Sequence, residues 1–279
     1  MRLESRIGSW AMSDRSDDLD ANGSGESGGA GTTFLAGRRA VVTGGGSGIG
    51  AAVSRRLAEA GASVLVVDRN AESAERVAAE IGGEARIVDL SDPDAAAEVG
   101  PGADVVVNNA GMQHVAPVHQ FPPDTFSRML AVMLESPFRI VRAALPGMYD
   151  RGWGRIINVS SIHGLRASPY KSAYVTVKHG LEGLSKTIAL EGASHGVTSN
   201  CICPGFVRTP LVERQVAEQA VLHRVPEAQV VEDVLLARTP VKRLVEPDEV
   251  AALAVWLCGP GTSSVTGSSF PIDGGWAAH

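Results

Sequence analysis

Short apolar runs alternate with amphipathic stretches along most of the chain. Continuous apolar runs predict buried strands over residues 39–43, 63–67, 85–88, 104–107, 155–159, 198–203 and 268–272. Apolar positions at helical spacing predict helices over residues 48–60, 71–81, 125–149, 170–195, 209–237 and 247–258, with a short helix inside residues 91–102. Apolar strands separated by helices indicate an α/β fold, a doubly wound parallel sheet with helices on both faces. Its ligand is expected beyond the carboxyl ends of the strands.

Composition excludes several classes of function. The 279 residues carry a net charge of −6 and no basic block, which argues against nucleic acid as a partner. No apolar run approaches the ~20 residues of a membrane helix. Three cysteines are too few for a disulfide scaffold, so we expect buried reduced thiols and a cytosolic protein. The histidines show no metal-binding spacing, and we expect no metal.

The predicted domain organisation is simple. Residues 1–33 are polar and rich in Gly, Ser and Asp, which predicts a disordered tail because such a segment cannot bury enough apolar surface. Residues 34–279 are predicted to form one catalytic domain, in which residues 208–240 form a small helical lid.

A glycine-rich turn joins the first strand to the first helix. Gly44 permits the tight turn, Gly48 lets the backbone approach a pyrophosphate, and Gly50 lets the helix pack on the strand. Ser47 and Ile49 complete the turn at the helix N-terminus, whose free N–H groups favour phosphate. The strand–turn–helix context predicts a Rossmann-type dinucleotide site.

Asp68 ends the second strand, 18 residues after Gly50. An acid near this position binds the hydroxyls of the adenine ribose, and its charge would repel a 2′-phosphate. The cofactor is therefore expected to be NAD rather than NADP, although Arg69 is close enough to contact a phosphate. The alternative is that Asp68 caps the next helix.

The candidate chemistry lies on a long helix. Tyr174 and Lys178 are four residues apart and share one helical face, and Ser161 follows the preceding strand. A neighbouring ammonium group favours the phenolate and is expected to lower the pKa of Tyr174 toward neutrality. Tyr174 would then accept the proton of a substrate alcohol, and Ser161 would hold the substrate oxygen.

Taken in order, these motifs resemble those of a known protein family. Besides the glycine turn and the Tyr-x-x-x-Lys spacing, the resemblance rests on five segments: NNAGMQHVAP (108–117), WGRIIN (153–158), SPYKSAY (168–174), CPGFVRTPLVE (203–213) and DGGW (273–276). From residue 34 to 279 the chain resembles the short-chain dehydrogenase/reductase family. Four residues point to the bacterial group within it that oxidises D-3-hydroxybutyrate reversibly to acetoacetate with NAD: Gln113, His163, Lys171 and Gln215.

The resemblance also implies roles for single residues. Ser161, Tyr174 and Lys178 would be catalytic, and Lys178 would also hold the nicotinamide ribose. Asp89 and Leu90 would flank adenine. Asn109 would contact the adenine-side ribose, and Val207 and Thr209 the carboxamide. The family also forms tetramers, which implies a homotetramer here.

Gln113, Ser161, His163, Lys171 and Gln215 would then bind the substrate. Hydrogen-bond donors and a cation from separate loops suit a small anionic hydroxy acid. Simpler interpretations remain: Lys171 as a solvated helix start, His163 as a structural loop residue and Gln215 as a surface residue. Trp276 would contact the substrate, contact a neighbouring subunit or pack the C-terminus.

One departure from the family pattern concerns the long helix before the catalytic strand. The family usually has an Asn there in a proton relay, and alignment places Met133 at that position. Two interpretations are open. Met133 is only a core residue and the relay is weakened, or the backbone carbonyl of Met133 holds the relay water in place of the Asn side chain. Pro137, four residues later, has no N–H to donate to that carbonyl.

Other functions remain open at this point. One is an NAD(P)-dependent enzyme for another small hydroxy acid, and another is an NADPH-dependent 3-oxoacyl-carrier reductase, which Asp68 disfavours. Met133 also leaves open a weakly catalytic NAD-binding regulatory protein.

Overall fold

A parallel seven-stranded sheet organises the chain. The computed structural model describes residues 33–223 and 225–278, except for the side chains at 214, 215, 218, 219 and 221–223. The strands are β1 (Arg39–Thr43), β2 (Ser63–Asp68), β3 (Glu84–Ile87), β4 (Val105–Asn108), β5 (Gly154–Val159), β6 (Val197–Pro204) and β7 (Ser269–Ile272). They pair in the order β3-β2-β1-β4-β5-β6-β7. This order confirms the predicted doubly wound α/β fold.

Helices connect the strands and cover both faces of the sheet. They are α1 (Gly48–Glu59), α2 (Ala71–Ile81), α3 (Pro93–Ala97), α4 (Pro123–Leu130), α5 (Ser136–Asp150), α6 (Ser172–Gly192), α7 (Pro210–His223), α8 (Glu227–Val230) and α9 (Pro247–Cys258). α7 and α8 lie inside the predicted lid. No helix in the described part of the chain is both long and apolar enough to cross a bilayer.

The alternation of side chains along β1 shows why the sheet has two cores. Val42 pairs in register with Val66 of β2 and Val107 of β4, and its side chain joins the core cluster that includes α1 and α9. Val41 points to the opposite face, into the cluster that includes α5. Both residues are fully buried. A strand buried on both faces reads as a continuous apolar run, which explains why the central strands were predictable.

Most predicted boundaries are wrong by no more than three residues, and two predicted helices are interrupted. The predicted helix 209–237 consists of α7, α8 and a π-helical segment, Val231–Leu235. The predicted helix 125–149 is α4 and α5 joined by a π-helical segment, Ala131–Glu135. The predicted helix 170–195 begins at Ser172, because Tyr170 has a left-handed backbone with φ of +67°. The predicted disordered tail, residues 1–33, lies outside the described residues except for Thr33.

Candidate active site

A cleft of about 560 Å³ opens at the carboxyl ends of the strands. This volume is in the range of small-molecule and cofactor sites. It is lined by nearly all of the predicted site residues: Gly44, Ser47, Gly48, Ile49, Asp68, Asp89, Leu90, Asn109, Gln113, Ser161, His163, Lys171, Tyr174, Lys178, Val207 and Thr209. The side chain of Gln215, in α7, lies outside the described residues.

The glycine turn forms one wall of the cleft. Gly44 and Gly48 have left-handed backbones, with φ of +62° and +51°, which other residues rarely adopt. α1 begins at Gly48 and directs its free N–H groups and partial positive charge toward the turn. This arrangement fits a pyrophosphate.

Gly50 is not among the residues that line the cleft, and its role as a cofactor contact stays a prediction. A Cβ at this position would overlap the carbonyl oxygen of Gly44 and press on the side chain of Asn109. Gly50 lets α1 approach the turn. Asn109 fixes the same turn, because its side-chain amide donates hydrogen bonds to the carbonyls of Thr43 and Gly44 at 3.0 and 3.2 Å.

Asp68 holds the turn from the other side. Its carboxylate accepts hydrogen bonds from the backbone N–H groups of Gly46 and Asn70, both at 3.1 Å. The alternative that Asp68 caps the next helix is wrong. Asn70 caps α2, since its side chain accepts a hydrogen bond from the N–H of Ser73.

Asp89 and Leu90 lie in the same part of the cleft. Hydrogen bonds from the backbone and hydroxyl of Ser91 lower the pKa of Asp89, and Arg128 lies 3.6 Å from its carboxylate. Arg128 also lines the cleft and was not predicted from the sequence. Nothing in the local sequence pattern indicates that this α4 residue reaches Asp89.

Ser161, Tyr174 and Lys178 converge at the centre of the cleft. The Lys178 ammonium group lies 5.6 Å from the centre of the Tyr174 ring and donates a hydrogen bond to the carbonyl of Val159 at 2.7 Å. The Ser161 hydroxyl accepts a hydrogen bond from the backbone N–H of His163 at 3.1 Å. The structure thus brings the predicted triad together.

The predicted electrostatics of this group need correction. Burial raises the pKa of the Tyr174 phenol, and the nearby Ser161 hydroxyl opposes this shift. Burial also lowers the pKa of Lys178, to about 8. The Tyr174 pKa thus shifts upward in the structure, opposite to the direction expected from a neighbouring ammonium group, because desolvation of the phenolate is its largest cause.

Lys171 and His163 form the opposite wall. The Lys171 ammonium group lies 3.2 Å from Nε2 of His163. Burial, and secondarily the charge of Lys171, lower the pKa of His163 to about 4, so the ring is neutral at neutral pH. Nε2 then accepts from the lysine, which places the ring proton on Nδ1. Lys171 precedes α6 as its N-cap residue, rather than lying within the helix as predicted.

One buried polar atom at this wall, Nε2 of Gln113, has no hydrogen-bond partner among the described residues. A buried donor without a partner is costly, so this atom suits a ligand oxygen or a water. The backbone of Arg166 lies close to the His163 ring and favours its protonated form, although burial and Lys171 outweigh this effect.

Aromatic rings enclose this end of the cleft. Trp276 lies edge-on to His163, with 6.1 Å between ring centres, and His163 has the same relationship to Tyr174. Arg238 lies over the Trp276 ring at 5.6 Å, and Lys171 lies 5.7 Å from the ring centre of Phe206. Trp276 therefore packs beside the predicted substrate residues. The contact with Arg238 was not predictable from sequence.

Met133 lines the cleft and is 1% exposed. Its sulfur accepts a hydrogen bond from the backbone N–H of Met112 at 3.5 Å. The side chain thus supports the loop that carries Gln113. The residues that the structure describes contain no group of three His, Cys, Asp or Glu side chains placed to hold a metal ion.

Comparison with known proteins agrees with this geometry. The family model described as Enoyl-(Acyl carrier protein) reductase matches residues 44–277. A D-beta-hydroxybutyrate dehydrogenase of Rhizobium meliloti (strain 1021) is 44% identical over 256 residues, spanning 87% of this chain and 99% of the relative. A Cupriavidus necator protein of the same name is 44% identical over 258 residues, spanning 88% and 100%.

The fold is shared with solved structures as well. An actinorhodin polyketide ketoreductase with NADPH has a TM-score of 0.81 and 30% identity, covering 87% of this chain and 98% of that one. The chain therefore belongs to the short-chain dehydrogenase/reductase family, whose members are nicotinamide-dependent oxidoreductases.

Proposed function

We propose that the chain oxidises D-3-hydroxybutyrate reversibly to acetoacetate with NAD. The observation that carries this proposal is the pairing of Lys171 with His163 beside Ser161 and Tyr174. The Lys171 cation lies beside His163, and the centre of the His163 ring lies 6.1 Å from the centre of the Tyr174 ring. The relatives named D-beta-hydroxybutyrate dehydrogenase support the same substrate.

Each residue of the site has a proposed role in substrate binding or in the reaction. Lys171, His163 and Gln113 bind the substrate carboxylate, with Gln215 from α7 as a further proposed contact. Ser161 donates a hydrogen bond to the substrate oxygen. When bound, the oxidised nicotinamide ring supplies the hydride acceptor.

Tyr174, as its phenolate, accepts the proton of the substrate hydroxyl and becomes a neutral phenol, and the Lys178 ammonium group stabilises the phenolate before this transfer. Because burial raises the pKa of the phenol, a positive charge close to it is required during proton transfer. Lys178 is placed to supply it.

For the cofactor itself we propose Gly44, Ser47, Gly48 and Ile49 at the pyrophosphate and Asp68 and Asn109 at the adenine side. Asp89 and Leu90 would flank adenine. Val207 and Thr209 would hold the carboxamide, and Lys178 the nicotinamide ribose. The Asp68 carboxylate supports NAD over NADP, because its charge opposes a 2′-phosphate.

Two further proposals concern the whole molecule. The family relationship supports assembly through α5 and α6 into a homotetramer, and Phe138 and Leu190 are exposed apolar side chains on these helices. Light scattering would test this, and Leu190→Glu should dissociate the assembly. All three cysteines are free and buried, which supports the predicted cytosolic location.

An NADH absorbance assay tests the function directly. D-3-hydroxybutyrate should be oxidised with NAD, and the L isomer and longer acids more slowly. Tyr174→Phe should lower the rate by about 10²- to 10⁴-fold, the range for loss of a general base. Tyr170→Phe, an exposed tyrosine nearby, is the matched control and should keep full activity. Tight NADH binding without turnover would favour a regulatory protein instead.

A further inference from the structure

Glu182 is a buried carboxylate behind the candidate active site. It lies on α6 one turn beyond Lys178, which itself lies one turn beyond Tyr174. The three residues therefore form a single stripe along the helix. Glu182 is 5% exposed, and Lys178 is 4% exposed.

The contacts of Glu182 are made by neutral groups. The Cys203 thiol donates a hydrogen bond to one carboxylate oxygen at 3.1 Å, and the Ser269 hydroxyl donates to the other at 2.5 Å. Neither partner carries a positive charge. Within the described residues, no Lys or Arg nitrogen lies within 4.0 Å of this carboxylate. A buried anion of this kind needs a cation close by.

Lys178 is the cation one helical turn from Glu182 on the same face of α6. The ionisable groups around Lys178 are Tyr174 and Glu182 on α6, and Cys201 and Cys203 on β6. Burial raises the pKa of both thiols far above the ordinary value, so neither is charged at neutral pH. Cys201, Cys203 and Glu182, in that order, raise the pKa of Lys178 against burial. Because both thiols are neutral at neutral pH, we assign the effect in that range to the Glu182 carboxylate.

We propose that Glu182 is a positioning residue: its buried charge keeps Lys178 in the ammonium form, and its hydrogen bonds to β6 and β7 fix that charge behind the lysine. The role of Lys178 in this statement rests on the proposed function. The electrostatic coupling between the two side chains does not, and it can be measured without turnover.

The first experiment compares the pH dependence of the unfolding free energy. The pKa of Lys178 is about 8 in the folded chain, against an ordinary value of 10.5 that applies once the chain unfolds. Between these values the unfolded chain binds more protons, so this group makes stability rise with pH. In Glu182→Gln the pKa of Lys178 in the folded chain should fall further. The rise of the unfolding free energy with pH should therefore begin about one pH unit lower.

Two controls keep this measurement specific. Glu191→Gln removes an exposed carboxylate from the same helix and should leave the profile unchanged. In a Lys178→Met background, Glu182→Gln should leave the slope of stability against pH unchanged between about pH 8 and 10.5, because the lysine that titrates in this range is gone. A shift that persists in that background would overturn the proposal.

The second experiment uses the reaction. If the lysine pKa falls by about one unit, Glu182→Gln should be about fivefold slower than the parent near pH 8 and nearly equal near pH 6, where acid restores the ammonium group. Glu182→Asp keeps the carboxylate charge, so the pH dependence of its rate should be close to that of the parent. A deficit that is the same at every pH would mean that Glu182 is only structural.

The two proposals fail in different ways. If the chain does not turn over D-3-hydroxybutyrate but the stability profile shifts as expected, the proposed substrate is wrong and the coupling stands. If turnover is found and neither profile moves, the coupling is wrong and the proposed function stands.

Discussion

The carboxylate of Asp68 accepts a hydrogen bond from the backbone N–H of Gly46, with 3.1 Å between the two atoms. This contact joins the end of β2 to the glycine turn. It also fixes a negative charge at the side of the cleft where the adenine ribose of a dinucleotide is expected. The charge and the hydrogen bond can be separated by mutation.

Asp68→Asn keeps a side-chain oxygen for the N–H of Gly46 but removes the charge. We expect the ratio of kcat/KM for NAD over that for NADP to fall at least tenfold, about 1.4 kcal/mol, because a 2′-phosphate is no longer repelled. Initial rates with both cofactors measure this ratio. Asp150→Asn, an exposed acid at the end of α5, is the control. An unchanged ratio in Asp68→Asn would remove this residue from cofactor selection.

Gly50→Ala should weaken cofactor binding through the glycine turn. A Cβ at Gly50 would overlap the Gly44 carbonyl, so the turn or α1 must move. We expect NADH to bind at least about tenfold more weakly and the melting temperature to fall. NADH fluorescence titration and thermal unfolding measure the two effects.

Gly183→Ala is the matched control for this substitution. Gly183 lies inside α6, and a Cβ there meets nothing within 4 Å. Alanine should therefore stabilise the helix by about 0.5–1 kcal/mol and leave NADH binding intact. Equal effects of the two substitutions would show that the turn tolerates a side chain.

The sequence was sufficient for most of the fold, for a physical reason. Parallel strands such as β4 are buried on both faces, so they read as uninterrupted apolar runs. Edge strand β3 is largely exposed and has no such signal, and its boundary was misplaced by one residue. The π-helical segment also escaped prediction, because the apolar pattern continues through it.

The candidate site was predictable in its residues but less so in its energetics. Spacing placed Tyr174 and Lys178 on one face, yet the direction of the pKa shift of Tyr174 depends on burial, which only the three-dimensional packing shows. The left-handed backbone of Tyr170 moved Lys171 out of the helix, and no glycine marks that position. The pairing of Arg128 with Asp89 joins elements far apart in sequence.

Lys171→Met should affect substrate binding more than turnover. The ammonium group lies beside His163 at the proposed carboxylate site and neither gives nor takes the proton in the proposed reaction. We expect KM for D-3-hydroxybutyrate to rise about 10- to 100-fold, since a charge-assisted hydrogen bond contributes about 1.5–3 kcal/mol. The value of kcat should change much less. Lys186→Met, an exposed lysine on α6, should change neither parameter. A loss confined to kcat would contradict a binding role.

His163 should make the protein sensitive to acid. The pKa of His163 is about 4 in the folded chain, against an ordinary value of 6.5 that applies once the chain unfolds. Between these values the unfolded chain binds more protons, so stability is present above about pH 6.5 and is lost as the pH falls toward 4. The loss from this group is at most about 3 kcal/mol.

Denaturant unfolding of the parent and of His163→Gln at several pH values isolates this contribution. The parent should lose more stability than the variant between about pH 6.5 and 4. His119→Gln, at an exposed histidine, should behave like the parent. Parallel pH profiles for the parent and His163→Gln would show that the ring does not resist protonation.

Met133→Asn tests how the chain works with a methionine at the position where the family usually has an Asn. Pro137 has no N–H, so the Met133 carbonyl lacks its usual α-helical donor, and our hypothesis is that this carbonyl binds a water of the proton relay. The π-helical segment that contains Met133 lies at this point of the helix. We therefore expect Met133→Asn to change kcat by less than about tenfold, because the backbone already provides the acceptor. Met133→Leu, which keeps the volume but removes the acceptor for the Met112 N–H, separates packing from polarity. A gain in kcat of two or more orders of magnitude in Met133→Asn would show that the backbone does not replace the missing amide.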